Sequence, residues 1–237
     1  MESNSVKNDP KVIVALDFDN SNTAFDFVAQ LDPRLCKLKV GKEMFTLFGP
    51  DFVRKLIADG FDVFLDLKFH DIPNTVAKAC KAAAELGVWM VNVHASGGAE
   101  MMRAAKQAIA QSSNPKTKLI AVTVLTSMDQ AQLNDVVEGI TPQQQVLKLA
   151  KLTADCGLDG VVCSAQEAHL LRSELPQEFL LVTPGIRPLG ADKGDQKRVM
   201  TPVDAMDSGV SYLVMGRPIT QAENPISVLE SVNSSIG

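Results

Sequence analysis

The stretch FLDLKFHD, residues 64–71, sets Asp66, Lys68 and Asp71 close together, with His70 among them. In an extended chain, side chains two apart share a face, so Asp66 and Lys68 can stand side by side. Lys39, in the run CKLKVG (36–41), can reach in from a neighbouring strand, and Asp17 ends the run before it. Alternating carboxylates and ammoniums held away from water can stabilise charge that develops in a reaction, and an ammonium can also deliver a proton. The same residues could instead form an ion-pair network that only fills a polar strand end, because buried charges must be paired. Charges at the ends of three adjacent strands favour chemistry over filling.

A second group suits an anion. After VTPGIR the chain runs through Arg187, Gly190, Gly194 and Gln196 to Pro202, a long polar loop with glycines. Loops of this length in compact domains often serve as lids. MGRP (215–218) follows, where Gly216 permits close backbone approach and Arg217 offers charge-assisted hydrogen bonds. The alternative is a surface loop with an incidental arginine. Asn92 and His94 end another run, and Thr123, Thr126 and Ser127 end the next. His70 and His94 could exchange protons, although neither has an orienting partner nearby in sequence. Met101, Met102, Met200 and Met206 read as core filler, and Trp89 as packing.

These residues need a scaffold that brings strand ends together. Eight short apolar runs, at 12–18, 36–41, 62–68, 90–95, 119–125, 160–164, 179–185 and 212–217, alternate with helical patterns. Runs rich in Val, Ile and Leu suit strands buried on both faces. Residues 74–86 repeat apolar side chains at helical spacing. Thr141, Pro142 and Gln144 read as a capping box opening a helix that stops at Gly157, and Asn224 and Pro225 open the last one. The pattern predicts a single (β/α)8 TIM barrel over 11–237, after a disordered tail at 1–10. Its active face would be the C-terminal strand ends, with a phosphate site after strands 7 and 8. An open doubly wound sheet is the alternative, but no GxGxxG follows the first strand.

Composition narrows the field. With 237 residues and 46% hydrophobic content, the chain can bury a substantial core. The net charge of −5 disfavours a nucleic-acid or anionic-membrane binder, while leaving room for a small anionic substrate. Cys36, Cys80, Cys156 and Cys163 lack metal-ligand spacing and read as buried, reduced thiols. Neither a secretory signal nor a membrane-length apolar run is visible, so a cytoplasmic protein is expected. HExxH, EF-hand, Walker and GxSxG motifs are absent.

DLKFHDIPNT matches the DxKxxDIPNT signature of the orotidine 5′-phosphate decarboxylase family. ALDF, LKVGKEMF, VNVHASGG, AVTVLTS, VTPGIR, GDQ and MGRPIT match in the same order, from Val12 to about Thr220. The chain resembles the bacterial form. The resemblance implies a homodimer of barrels that converts orotidine 5′-monophosphate to UMP and CO2 with no metal or organic cofactor. It implies a charged array of Lys39, Asp66, Lys68 and the partner subunit's Asp71, with Lys68 as proton donor to C6. Asp17, Lys39, Asp71 and Thr75 would hold the ribose hydroxyls, Asp71 and Thr75 across the interface. Thr126 and Ser127 would lie near the pyrimidine, and Arg187, Gln196, Gly216 and Arg217 would hold the phosphate. Two rival readings are a Mg²⁺-dependent phosphosugar decarboxylase of a related barrel and a non-catalytic nucleotide-binding barrel.

Overall fold

Each of the eight apolar runs becomes a strand in the computed structural model, which describes residues 9–188 and 199–237. The strands are β1 (Val12–Leu16), β2 (Lys37–Gly41), β3 (Val63–Phe69), β4 (Met90–His94), β5 (Lys118–Val122), β6 (Gly160–Val162), β7 (Leu180–Pro184) and β8 (Tyr212–Met215). All pair in parallel with their neighbours in sequence, and β8 returns to β1, closing the barrel. The doubly wound alternative is thereby set aside. The main helices are α1 (Ser21–Val28), α2 (Lys42–Ala58), α3 (Pro73–Glu85), α4 (Gly98–Ala110), α5 (Gln130–Asn134), α6 (Pro142–Asp155), α7 (Ala165–Glu174), α8 (Pro202–Asp207), α9 (Arg217–Thr220) and α10 (Pro225–Ile236). Among the described residues, no helix is long and apolar enough to cross a membrane.

Local sequence sets the helix ends. The Thr141 side chain accepts the Gln144 N–H and the Gln144 side chain accepts the Thr141 N–H, so α6 opens on the expected capping box. Asn224 accepts the Ser227 N–H at 3.1 Å to start α10. After α6, Gly157 takes φ 75°, a conformation that ends helices and costs glycine little. Within α2, Gly49 at φ 66° precedes Pro50 and kinks the helix.

Strand alternation divides the core in two. One face of the strands packs under the helices, where Met101, Met102 and all four cysteines are buried. Burial pushes the Cys36 and Cys80 thiols up to about 12, so they are inert at neutral pH. The other face fills the barrel with Ile13, Phe64, Met90, Ile120, Val182, Tyr212 and Val214.

The floor of the barrel is charged. Lys37 is only 2% exposed. Its ammonium meets Asp62 at 2.9 Å and Asp9 at 3.0 Å, and sits 4.5 Å from the centre of the Trp89 ring. Trp89 meets Tyr212 edge to face at 5.1 Å, and the Tyr212 hydroxyl donates to Asp9 at 2.9 Å. Trp89 is packing, as expected. Asp9 falls in the stretch read as a tail, yet its carboxylate ties the chain to the floor ahead of Lys11. Pro10 after it is buried, and 1–8 lie outside the described residues.

Burial alone would raise the Asp9 pKa, but bonds from Lys11, Lys37 and Tyr212 win and hold it at about 2, below the ordinary 3.8. A depressed carboxylate stabilises the fold above its unfolded pKa and loses that contribution as pH falls toward the folded value. Asp9→Asn should therefore lower Tm at pH 7 by roughly 2–4 °C, equivalent to about 1 kcal/mol after solvent screening. The gap should narrow only below about pH 4. Thermal melts across pH test this, and a gap that ignores pH would contradict it.

Candidate active site

The barrel's inward faces carry the site. On β3, Leu65, Leu67 and Phe69 line the space against α2 and α3, while Phe64 fills the barrel interior. Asp66 continues that inward face one layer up and is almost wholly buried. The Lys68 ammonium donates to Asp66 Oδ1 at 2.5 Å, and the Lys39 ammonium stands 3.3 Å from Oδ2. Asn92 on β4 is fully buried and donates from Nδ2 to Asp66 Oδ1 at 2.7 Å. Burial alone would raise the Asp66 pKa. The Lys39 and Lys68 charges and the Lys68 and Asn92 hydrogen bonds outweigh that and hold it below its ordinary value. Asp66 is thus an ionised carboxylate flanked by two ammoniums.

Simple alternation does not account for Lys68. From Leu65 to Phe69, β3 uses twice as many steps as β4 does from Val91 to Val93, a bulge in the ladder. Lys68 takes φ 54°, the only positive φ at a non-glycine among the described residues. For a lysine that conformation costs on the order of 1 kcal/mol. The bulge frees the Lys68 N–H from the regular ladder, and it donates to Asn92 Oδ1 at 2.8 Å. The expected pairing of Asp66 with Lys68 holds, but through a strained bulge rather than a regular strand.

Next to this cluster lies a polar cleft of about 410 Å³. Asp17, Lys39, Arg187, Gly216 and Arg217 line it together, as the strand-end reading expected. Lys39 belongs to both cleft and cluster. Arg187 is 8% exposed, and its guanidinium donates to the Ile186 carbonyl at 2.9 Å. Gly185, at φ 83°, turns the chain just before it. Beside Gly216, an added Cβ would approach Ala15 to 3.6 Å. Gln196 lies outside the described residues, as do Gly190 and Gly194.

Other expected residues sit elsewhere. Thr126, half-buried, and Ser127, exposed, stand on the loop after β5 and do not line the cleft. Asp71 and Thr75 are exposed on the segment that enters α3, next to Ile72 at 66% exposure. The Asp71 carboxylate accepts the Ile72 N–H at 2.6 Å, and among the described residues no ion pair joins it to the Lys39–Asp66–Lys68 cluster. His70 and His94 lie with ring centres 5.6 Å apart. Burial first, then the charges of His70, Lys42 and Lys68, lower the His94 pKa. This favours a neutral imidazole over a charged acid. Lys42, which lines the cleft, went unnoticed in the sequence; reading one residue past Gly41 would have found it. Among the described residues, no three His, Cys, Asp or Glu side chains gather as a metal site would need.

An ammonium pair gripping one carboxylate, beside a cleft lined with arginines, suits a phosphorylated substrate that develops negative charge. Comparison with known proteins agrees. Residues 10–232 match the model of the orotidine 5′-phosphate decarboxylase / HUMPS family. The chain belongs to that family. Its relatives include the orotidine 5′-phosphate decarboxylase of Pseudoalteromonas atlantica, 64% identical over 96% of this chain and 99% of that one. The enzyme of the same name from Pseudoalteromonas translucida is 66% identical over 95% of this chain and 97% of its own. The crystal structure of orotidine 5′-phosphate decarboxylase from Lactobacillus acidophilus is similar with a TM-score of 0.84 and 40% identity. It covers 97% of this chain and all of that one.

Proposed function

We propose that this chain removes CO2 from orotidine 5′-monophosphate through the Lys39–Asp66–Lys68 cluster, with Lys68 protonating C6. The chain is a carboxy-lyase of the orotidine 5′-phosphate decarboxylase type, making UMP for pyrimidine biosynthesis. The observation that carries the mechanism is the Lys68 ammonium held at 2.5 Å on a buried, ionised Asp66. Breaking the C6–CO2 bond leaves its electron pair in the plane of the ring, where the π-system cannot take it up. The protein must then stabilise it electrostatically. A fixed ammonium does so and afterwards gives its proton to C6. Arginine could supply charge but could hardly release a proton. Asp66 holds the Lys68 ammonium in place.

The phosphate is gripped far from C6 by Arg187, Gln196 and Arg217, with Gly216. Asp17 and Lys39 hold the ribose, and Thr126 and Ser127 the pyrimidine. Binding energy from the phosphate offsets the cost of crowding charges at the reacting carbon. The reaction uses neither metal nor organic cofactor, and residues 11–237 act as one catalytic domain in the cytoplasm. The substrate is a small nucleotide, with no nucleic acid or membrane involved.

The chain works as a homodimer with shared sites. The exposure of Asp71 and Thr75 supports this reading: a second copy can receive them at the ribose, and Asp71 completes the array of charges.

Subunit mixing tests the mechanism and the sharing together. Lys68→Ala and Asp71→Ala should each abolish most turnover, followed by the ultraviolet change of the substrate in the presence of chelator. Equal mixtures, once exchanged, should regain about a quarter of the parent activity, since half the dimers are hybrids with one intact site. Near-normal turnover by Lys68→Ala would sink the proton-donor role. No recovery after exchange would sink the sharing, and loss of parent activity on chelation would favour the Mg²⁺-dependent reading.

Arg217→Ala should lower kcat/KM for the nucleotide roughly 10- to 100-fold, as loss of charge-assisted hydrogen bonds would. A substrate lacking the phosphate should be affected far less. Equal losses on both substrates would refute phosphate binding.

A further inference from the structure

We propose that Asn92 is the positioning residue for Lys68: its amide clamps the Asp66 carboxylate and the strained Lys68 backbone in one register. The inference rests on the reading of Lys68 as proton donor. Asn92 is fully buried, and both ends of its amide are engaged. Nδ2 donates to Asp66 Oδ1 at 2.7 Å, and Oδ1 accepts the Lys68 N–H at 2.8 Å. Only this orientation satisfies both neighbours, because a carboxylate accepts and an N–H donates.

The clamp acts on two things at once. Asp66 Oδ1 receives both the Asn92 amide and the Lys68 ammonium, so the amide fixes the oxygen on which that ammonium rests. On its other side, the amide supplies the partner that the bulged Lys68 N–H lacks in the strand ladder. Lys68, at φ 54°, would relax toward ordinary strand geometry without it. Its ammonium would then leave the position from which it meets C6. A small misplacement of a reacting group can cost roughly 100-fold in rate.

The substitution Asn92→Asp separates positioning from mere support. It keeps the shape and can still accept the Lys68 N–H. It can donate to Asp66 only when protonated. The charged and titratable groups around it are Asp66 and Lys68 on β3, Lys39 on β2, His94 on β4, His70 after β3, and Lys42 at the start of α2. On β5, its register partner is the apolar Ile120. The like charge of Asp66 favours the protonated form of the new carboxyl, against the lysines.

The experiment measures kcat, UMP affinity by calorimetry and the pH profile for the parent, Asn92→Ala, Asn92→Asp and Lys68→Ala. Asn92→Ala should lose roughly 100-fold in kcat at every pH, with UMP affinity within about threefold of the parent. Asn92→Asp should lose as much at pH 8 and recover relative to the parent as pH falls toward 5.5. The inference is overturned if Asn92→Asp turns over within about threefold of the parent at pH 8, or if its loss is flat with pH and matched in UMP affinity. Bound UMP reports a folded site, so a poorly folding Asn92→Ala leaves Asn92→Asp to decide. Lys68→Ala separates the two ideas. If it is active, the proton-donor reading falls and takes this inference with it. If it is inactive while both Asn92 variants are normal, only this inference falls.

Discussion

Everything in the site depends on one buried carboxylate. Asp66 has Lys68 on one oxygen, Lys39 on the other and the Asn92 amide alongside. A buried ion pair adds little net stability, because desolvating the charges offsets their attraction. Removing one member is costly, however, since it strands the others. That asymmetry suits the proposed mechanism: both lysines are fixed on one carboxylate, so little reorganisation would be required when charge develops beside them. The barrel makes the arrangement possible by bringing the inward faces of β2, β3 and β4 into register.

The two lysines of KLKVG show how position within a barrel decides the use of a residue. Lys37 and Lys39 share the inward face of β2. Lys37 lies at the floor and is closed off by Asp9, Asp62, Trp89 and Tyr212. Lys39 lies toward the C-terminal face, where it lines the cleft and touches Asp66. The N-terminal end of such barrels is given to stability and the C-terminal end to chemistry.

Much of this was legible in the sequence because its causes are local. The Thr141–Gln144 capping box and the stop at Gly157 depend on residues a few positions apart. The eight apolar runs needed only the rule that parallel strands are buried on both faces, and their closure into a barrel followed from their number. The strand-end residues Asp17, Lys39, Arg187, Gly216 and Arg217 were found together because the barrel's geometry gathers strand ends. What was hidden depends on contacts distant in sequence. The bulge at Lys68 is held by an asparagine from the next strand, and nothing in DLKF signals it. Asn92 stood out only as a polar strand end. Lys37 became a floor plug only when four separate segments met around it. Asp71, which the family resemblance assigns to the partner subunit's array, is exposed on its own chain and accepts the Ile72 N–H.

The central claim is that the Lys68 ammonium faces C6 and stabilises charge there. Exchange of the C6 hydrogen of UMP for deuterium, followed by proton NMR in D2O, tests it without any decarboxylation. The account predicts that the parent protein catalyses this exchange, because forming the C6 carbanion from product uses the same lysine. It also predicts that Lys68→Ala binds UMP and leaves the C6 hydrogen in place. Exchange by Lys68→Ala at the parent rate would contradict the account.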